Sequence, residues 1–211
     1  MNFNIEKFIS ESNLIDSQPN YDRTENIPGD KPGDLMFDNQ KNAYELALNK
    51  IQEKYLDAND VRDIHRELTR NVDYFEIPGM SGFWRRYNVK CNTGDGTTVL
   101  FPDSWKIHWL MHDIWTPFYT DCIEKAKSAQ ESEKENLAYQ VHDLFECIHP
   151  FIDGNGRTGR ILLNAFRVQI GLKPIIILYN DRYKYYSKIQ AFRQEQYDTI
   201  VSNYNKYEAE Q

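Results

Sequence analysis

Apolar residues recur every three to four positions over most of the chain, a spacing that predicts helices. From about Leu35 to Tyr55, the residues Ala43, Leu46, Ala47, Ile51 and Tyr55 fall on one helical face. A second helix is predicted from Asp60 to Asn71, with Asn59 or Asp60 as its cap and Val61, Ile64 and Leu68 on one side. The spacing resumes from Ser104 to Phe118 and from Glu131 to Ile148, where Leu137, Val141, Leu144, Phe145 and Ile148 make a stripe. Another helix covers Ile161 to Gly171, whose glycine suits a C-cap. Pro174 to Leu178 reads as a short buried segment, and Tyr183 to about Tyr207 as one or two further helices.

Two stretches break the pattern. Residues 16–34, rich in Asp, Asn, Pro and Gly, read as an irregular connector. Residues 81–102 hold two β-prone runs around Asp95-Gly96, a hairpin signal. The fold class this predicts is all-α, a helical bundle with one small β-hairpin. An N-terminal segment, 1–34, precedes a single helical domain over 35–211.

Composition narrows the picture. A chain of 211 residues supports one sizeable core rather than two full domains. Its net charge of −7 argues against broad nucleic-acid binding, which rests on neutralising phosphates. Cys91, Cys122 and Cys147 are odd in number and lack metal-type spacing, so free thiols are expected. The first residues lack the apolar core of a signal peptide, and no stretch reaches membrane-spanning length. A cytoplasmic location with no membrane partner is the expectation, with a homo-oligomer left open.

The chemistry gathers in twelve residues, His149 to Arg160: His-Pro-Phe-Ile-Asp-Gly-Asn-Gly-Arg-Thr-Gly-Arg. A loop that exposes backbone N–H groups and then opens a helix binds phosphate, because those amides lack intrahelical partners and the helix dipole favours negative charge. Gly154 and Gly156 permit close approach to an anion. Arg157 and Arg160 add fork-shaped donors one helical turn apart. Asp153 is a hard oxygen ligand of the kind that holds Mg²⁺ together with ATP phosphates. His149, at the end of a helix, is suited to taking a proton from an attacking hydroxyl if its pKa lies near neutrality.

These residues match the signature H-P-F-x-[D/E]-G-N-G-R-x-x-R, and the chain resembles the Fic-domain proteins. It is similar to the branch that transfers AMP from ATP to a protein side chain. It is unlike the Doc branch, which carries a lysine where this chain has Gly156. The resemblance implies a Fic-type helical bundle and a protein adenylyltransferase acting on a Tyr, Thr or Ser hydroxyl. It makes His149 the catalytic base, with Asn155 on the α-phosphate, Arg157 on the β-phosphate and Arg160 on the γ-phosphate. Tyr185 and Tyr186 resemble family tyrosines near the adenine. A flap at about 82–102, including Phe83, Trp84, Arg85 and Val89, implies a partner protein held there as an extended segment. Ser12 to Ser17 resembles, with two departures, an inhibitory helix [S/T]-x-x-x-E-[G/N]; here Asp16 replaces the glutamate, and the shorter side chain would need a closer helix to reach Arg160.

Three readings compete. Beside adenylyl transfer stand removal of AMP or use of another nucleotide donor on the same scaffold, and a non-enzymatic nucleotide-binding module. His108 and His112, four apart, have metal-ligand spacing but no evident third ligand, and His142 reads as a packing residue.

Overall fold

The computed structural model describes residues 3–16, 32–72, 80–92 and 98–205, leaving the side chains of 32–34 and 92 aside. Helices dominate, and the one sheet among the described residues is a two-stranded antiparallel pair. In chain order α1 covers Ile5–Asp16, α2 Pro32–Glu53, α3 Ala58–Leu68, β1 Lys90–Asn92 and β2 Thr98–Leu100. Next come α4 (Ile107–Trp109), a π-helical stretch over Leu110–Trp115 and α5 (Thr116–Ala126). The order closes with α6 (Glu131–Ile148), α7 (Asn155–Gln169), α8 (Arg182–Phe192), a π-helical turn over Arg193–Tyr197 and α9 (Asp198–Asn205).

The core surrounds α7. Ile161, Leu162, Leu163, Ala165 and Phe166 are fully buried there, against Val141, Leu144 and Phe145 of α6. Fully burying one such side chain contributes about 1.5–3 kcal/mol, so the helix that opens at the signature loop is firmly anchored. α2 and α3 pack on its other side, and α1 adds Phe8, Ile9 and Ile15.

Helix boundaries follow local chemistry. α3 begins earlier than the pattern suggested: Asp57, not Asn59 or Asp60, is its cap. The Asp57 carboxylate accepts from the Asn59 and Asp60 amides while the Asp60 carboxylate accepts from the Asp57 amide at 3.0 Å, a reciprocal capping box. Asp60 is also buried beside Lys50 and Lys54, at 2.7 and 2.9 Å. α7 ends as expected at Gly171, whose φ of 82° lets its own N–H reach Val168 O and that of Leu172 reach Arg167 O.

The hairpin pairs Lys90 with Leu100, Cys91 with Val99 and Asn92 with Thr98. Its strands are shorter than the 82–102 span expected, and Asp95-Gly96 lie outside the described residues, as do Ser17, residues 18–31 and Tyr207. The segment expected to be buried has no regular form: Pro174 to Ile177 is half-buried and Leu178 exposed, and the Asn164 side chain holds it by bonds to both N–H and C=O of Ile175.

Candidate active site

α6 stops at Ile148 because Pro150 disfavours the right-handed helical conformation in the residue before it. His149 turns into the left-handed region instead, with φ 51° and ψ 62°, and its N–H still bonds Phe145 O at 2.9 Å. That conformation costs a non-glycine residue about 1–2 kcal/mol. The imidazole stacks on Phe101 at 4.0 Å between centroids, and the Arg193 guanidinium lies 4.8 Å from the Phe101 ring. Burial, with Arg85 and Arg193 nearby, lowers the His149 pKa to about 3. The near-neutral value expected from the sequence does not hold here: the imidazole is neutral, and its Nδ1 makes no well-formed hydrogen bond.

The loop then opens α7. Its N-cap is Gly154, at φ 77°, a residue with no side chain to bond the first amides. The Thr158 N–H returns to Gly154 O, and among the described residues no hydrogen bond engages the N–H groups of Asn155, Gly156 or Arg157. Three open amides at the positive end of a fifteen-residue helix form an anion site. The carboxylate of Asp153 is 52% exposed. One of its oxygens accepts the Gly154 N–H at 2.6 Å, and the other is 3.8 Å from Arg157 Nη2.

A carboxylate already occupies part of this anion site. Asp16, the last residue of α1, has Oδ1 2.7 Å from Arg160 Nη2 and Oδ2 3.3 Å from Arg157 Nε. Arg160 also donates to Ser12 Oγ and Ser12 O at 2.8 and 2.9 Å. Burial works against the Arg160 charge, and Asp16 more than offsets it, holding the guanidinium above its usual pKa. The shorter aspartate reaches because α1 comes close at Gly156, where a Cβ would lie 2.6 Å from Asp16 Oδ1.

The sequence profile of the Fic/DOC family matches residues 55–167, more than half of the chain. The chain belongs to the Fic/DOC family. It is 29% identical over 140 residues to "Protein adenylyltransferase Fic" of Drosophila mojavensis, covering 64% of this chain and 24% of that protein. The Aedes aegypti protein of the same name is 30% identical over 137 residues, covering 65% and 24%. The chain thus spans about a quarter of the length of the curated relatives it matches. A Fic domain containing signaling protein from Bacteroides thetaiotaomicron shares the fold with a TM-score of 0.73 at 17% identity, covering 97% of this chain and 81% of that one. Fic-1 from C. elegans does so at 0.60 and 20%, covering 96% and 59%.

Within this Fic fold, several side chains have partners that the sequence did not suggest. Asn155 clamps its own loop: Oδ1 accepts the Phe151 N–H and Nδ2 donates to Phe151 O, both at 2.9 Å. One hydrogen of its amide is therefore already engaged with Phe151. Arg85 is buried, and its guanidinium donates to three backbone carbonyls: His149 at 2.8 Å, Tyr87 at 3.0 Å and Pro102 at 2.5 Å. Its expected place on a target-binding surface is corrected accordingly, because it ties the hairpin root to the loop. Trp84 packs on Phe151 and His112, while Phe83 is exposed and Val89 half-buried.

Tyr185 is corrected as well. It is a buried residue whose hydroxyl lies 3.0 Å from His142 Nε2, so it packs the interior rather than facing an open adenine site. Tyr186 is 40% exposed and its hydroxyl donates to Ile15 O, a bond that fixes the last turn of α1. His142 also meets Asp143 at 2.7 Å, and Glu146, fully buried nearby, has its pKa raised by that burial.

His65 carried no sequence signal. Its Nδ1 accepts the Gly82 N–H at 3.0 Å, so the proton sits on Nε2, which lies 2.9 Å from Asp153 O. The ring stacks on Phe151 at 3.6 Å and 7°, and burial lowers its pKa to about 3. One neutral side chain thus joins α3, the hairpin root and the loop. His108 and His112 stack on each other at 4.2 Å, and no three metal-type side chains gather anywhere among the described residues.

Proposed function

We propose that the chain transfers AMP from Mg·ATP to a Tyr, Thr or Ser hydroxyl of a protein, releasing pyrophosphate. The observation that carries this reading is one loop with a neutral imidazole at its start and three open amides with two arginines at its end. His149 takes the proton of the target hydroxyl as that oxygen attacks the α-phosphorus. The bond from the α-phosphorus to the bridging oxygen breaks, and pyrophosphate leaves with the electron pair. Polyphosphate charge opposes the field of Arg85 and Arg193 on His149, which moves its pKa back towards the range of a working base.

The remaining roles are positional and electrostatic, as in phosphoryl transfer generally. The α7 amides and Arg157 hold the α- and β-phosphates, and Arg160 the γ-phosphate. Asn155 holds the loop rigid through Phe151 and has one further amide hydrogen to offer. Asp153 fits a role as the single protein ligand of Mg²⁺, being a solvent-facing carboxylate beside the anion site. The ion would supply neutralisation of phosphate charge. Among the described residues both hairpin strands are edges, so an extended target segment can add to the pair as a further strand.

Asp16 acts as a built-in competitor under this reading, because carboxylate and phosphate seek the same guanidiniums. With both of its oxygens facing arginines, it is poorly placed to hold a water for removing AMP. Intact mass spectrometry after incubation with ATP and Mg²⁺ tests the proposal. Wild type or Asp16→Gly should gain one AMP, and His149→Ala should not. An adduct that persists in His149→Ala would remove the histidine from the mechanism.

A further inference from the structure

Across Arg85 from the loop lies a second concavity of about 410 Å³, which the chemistry above does not use. Arg62, Phe83, Trp84, Arg86, Trp105 and His108 line it. Its aromatic surface is open to solvent: Trp105 is 76% exposed and Phe83 42%. Exposed large rings grouped with arginines are the composition of protein interfaces, where Trp and Arg supply most of the binding energy.

The charge here runs against the molecule as a whole. The chain carries −7, yet no carboxylate among the described residues lines this concavity. Arg62 lies over the Phe83 and Trp84 rings at 5.5 and 5.7 Å, and Lys106 over the Trp105 ring at 5.0 Å. Among the described residues neither they nor Arg86 makes an ion pair with a carboxylate. The acids next in sequence to its lining residues have other partners. Asp103 takes the Asn88 amide at 3.1 Å, and Asp63 pairs with Lys50 and Arg66. Arg62 Nε donates to Gly82 O at 2.9 Å, which holds the guanidinium in place and leaves its two Nη groups for an anion.

We propose that this concavity docks an acidic peptide segment carrying an apolar or aromatic side chain, belonging to the protein that the enzyme modifies. Carboxylates would pair with Arg62 and Arg86 while the apolar side chain covers Trp105 and Phe83. Arg85 both lines this concavity and donates to the His149 carbonyl at 2.8 Å, so one side chain links the docking surface to the signature loop. Naming that partner the modification target rests on the adenylyl-transfer reading; the preference for an acidic peptide does not.

The test is fluorescence anisotropy with a labelled, glutamate-rich peptide of about ten residues containing one phenylalanine, beside its glutamine counterpart. The glutamate peptide should bind about tenfold more tightly, and the difference should shrink as salt rises from about 0.05 M to about 0.3 M. Arg86→Gln and Trp105→Ala, both at exposed positions, should each weaken it, with Arg62→Gln as a third variant. Equal binding of the two peptides overturns the proposal, as does binding unchanged in all three variants or a single-stranded oligonucleotide that binds more tightly than the glutamate peptide. The AMP adduct is read separately. An adduct without charge preference fails the docking site alone, and charge preference without an adduct fails the transfer reading alone.

Discussion

The signature loop has two supported faces, and they are held by different forces. Towards α3 and the hairpin root the bonds are neutral or directed to backbone: His65 to Asp153 O and Gly82 N–H, and Arg85 to His149 O. Towards α1 the bonds are ionic, with one carboxylate between two guanidiniums. The neutral His65 imidazole, bonded to backbone groups, offers no charge for a dissolved anion to claim. A carboxylate on an arginine has a rival in any phosphate, because the donors do not distinguish the two anions by charge. The first face is a scaffold, and the second is a pair of guanidiniums with a carboxylate already between them.

Removing His149, which sits where the two faces meet, should have the largest effect. His149→Ala is expected to lose about 10²–10⁴-fold in transfer rate, read by mass spectrometry, with its melting temperature close to wild type. Next, Asp16→Ala should raise ATP affinity by about 5–150-fold by calorimetry. It should also lower the melting temperature of the nucleotide-free protein, since Arg160 keeps its burial and loses its counter-charge. If ATP affinity stays unchanged, the ionic face is structural and the contrast collapses.

On the other face, His65→Ala should cost about 1–3 kcal/mol in urea unfolding, because Asp153 O and Gly82 N–H lose their partner. ATP affinity should move little, and His65→Gln should recover part of the stability. A smaller effect concerns pH. The pKa values of His65 and His149 are both lowered to about 3 by burial, so the unfolded chain binds these protons first. Their contribution to stability is full above about pH 6.5 and falls as pH drops towards 3, by about 1.4 kcal/mol per pH unit for each. Unfolding midpoints at pH 7 and pH 5 measure this, and His65→Gln should flatten the slope by one proton.

The ionic face was more legible in the sequence than the scaffold. His149 to Arg160 is contiguous and could be read as an anion loop from its residue types, whereas Ser12 and Asp16 came only from the resemblance to an inhibitory helix. Gly171 was readable because a Schellman end demands a glycine there. His65, Arg85 and Phe101 were not readable in these roles. Their partners are backbone groups or ring faces many residues away, and such partners place no demand on any neighbouring residue type. Asp57 was missed as a cap because Asp60 offers the same chemistry three residues later, and only geometry shows that the two work as a box. Tyr185 looked like its exposed neighbour Tyr186 until the packing of α8 separated them.

The placement of Asp16 on the final residue of α1 limits how the site can open. Moving the helix away as a rigid rod would pull Phe8, Ile9 and Ile15 out of the core, at about 1.5–3 kcal/mol each. Unwinding only its last turn gives up Ile15, the Tyr186 bond to Ile15 O and the aspartate itself. The cheaper route is local fraying, a motion that grows with temperature well below global melting. Under the adenylyl-transfer reading, nucleotide access is then thermally gated by a single helical turn, and the first half of α1 stays where it is while that turn opens.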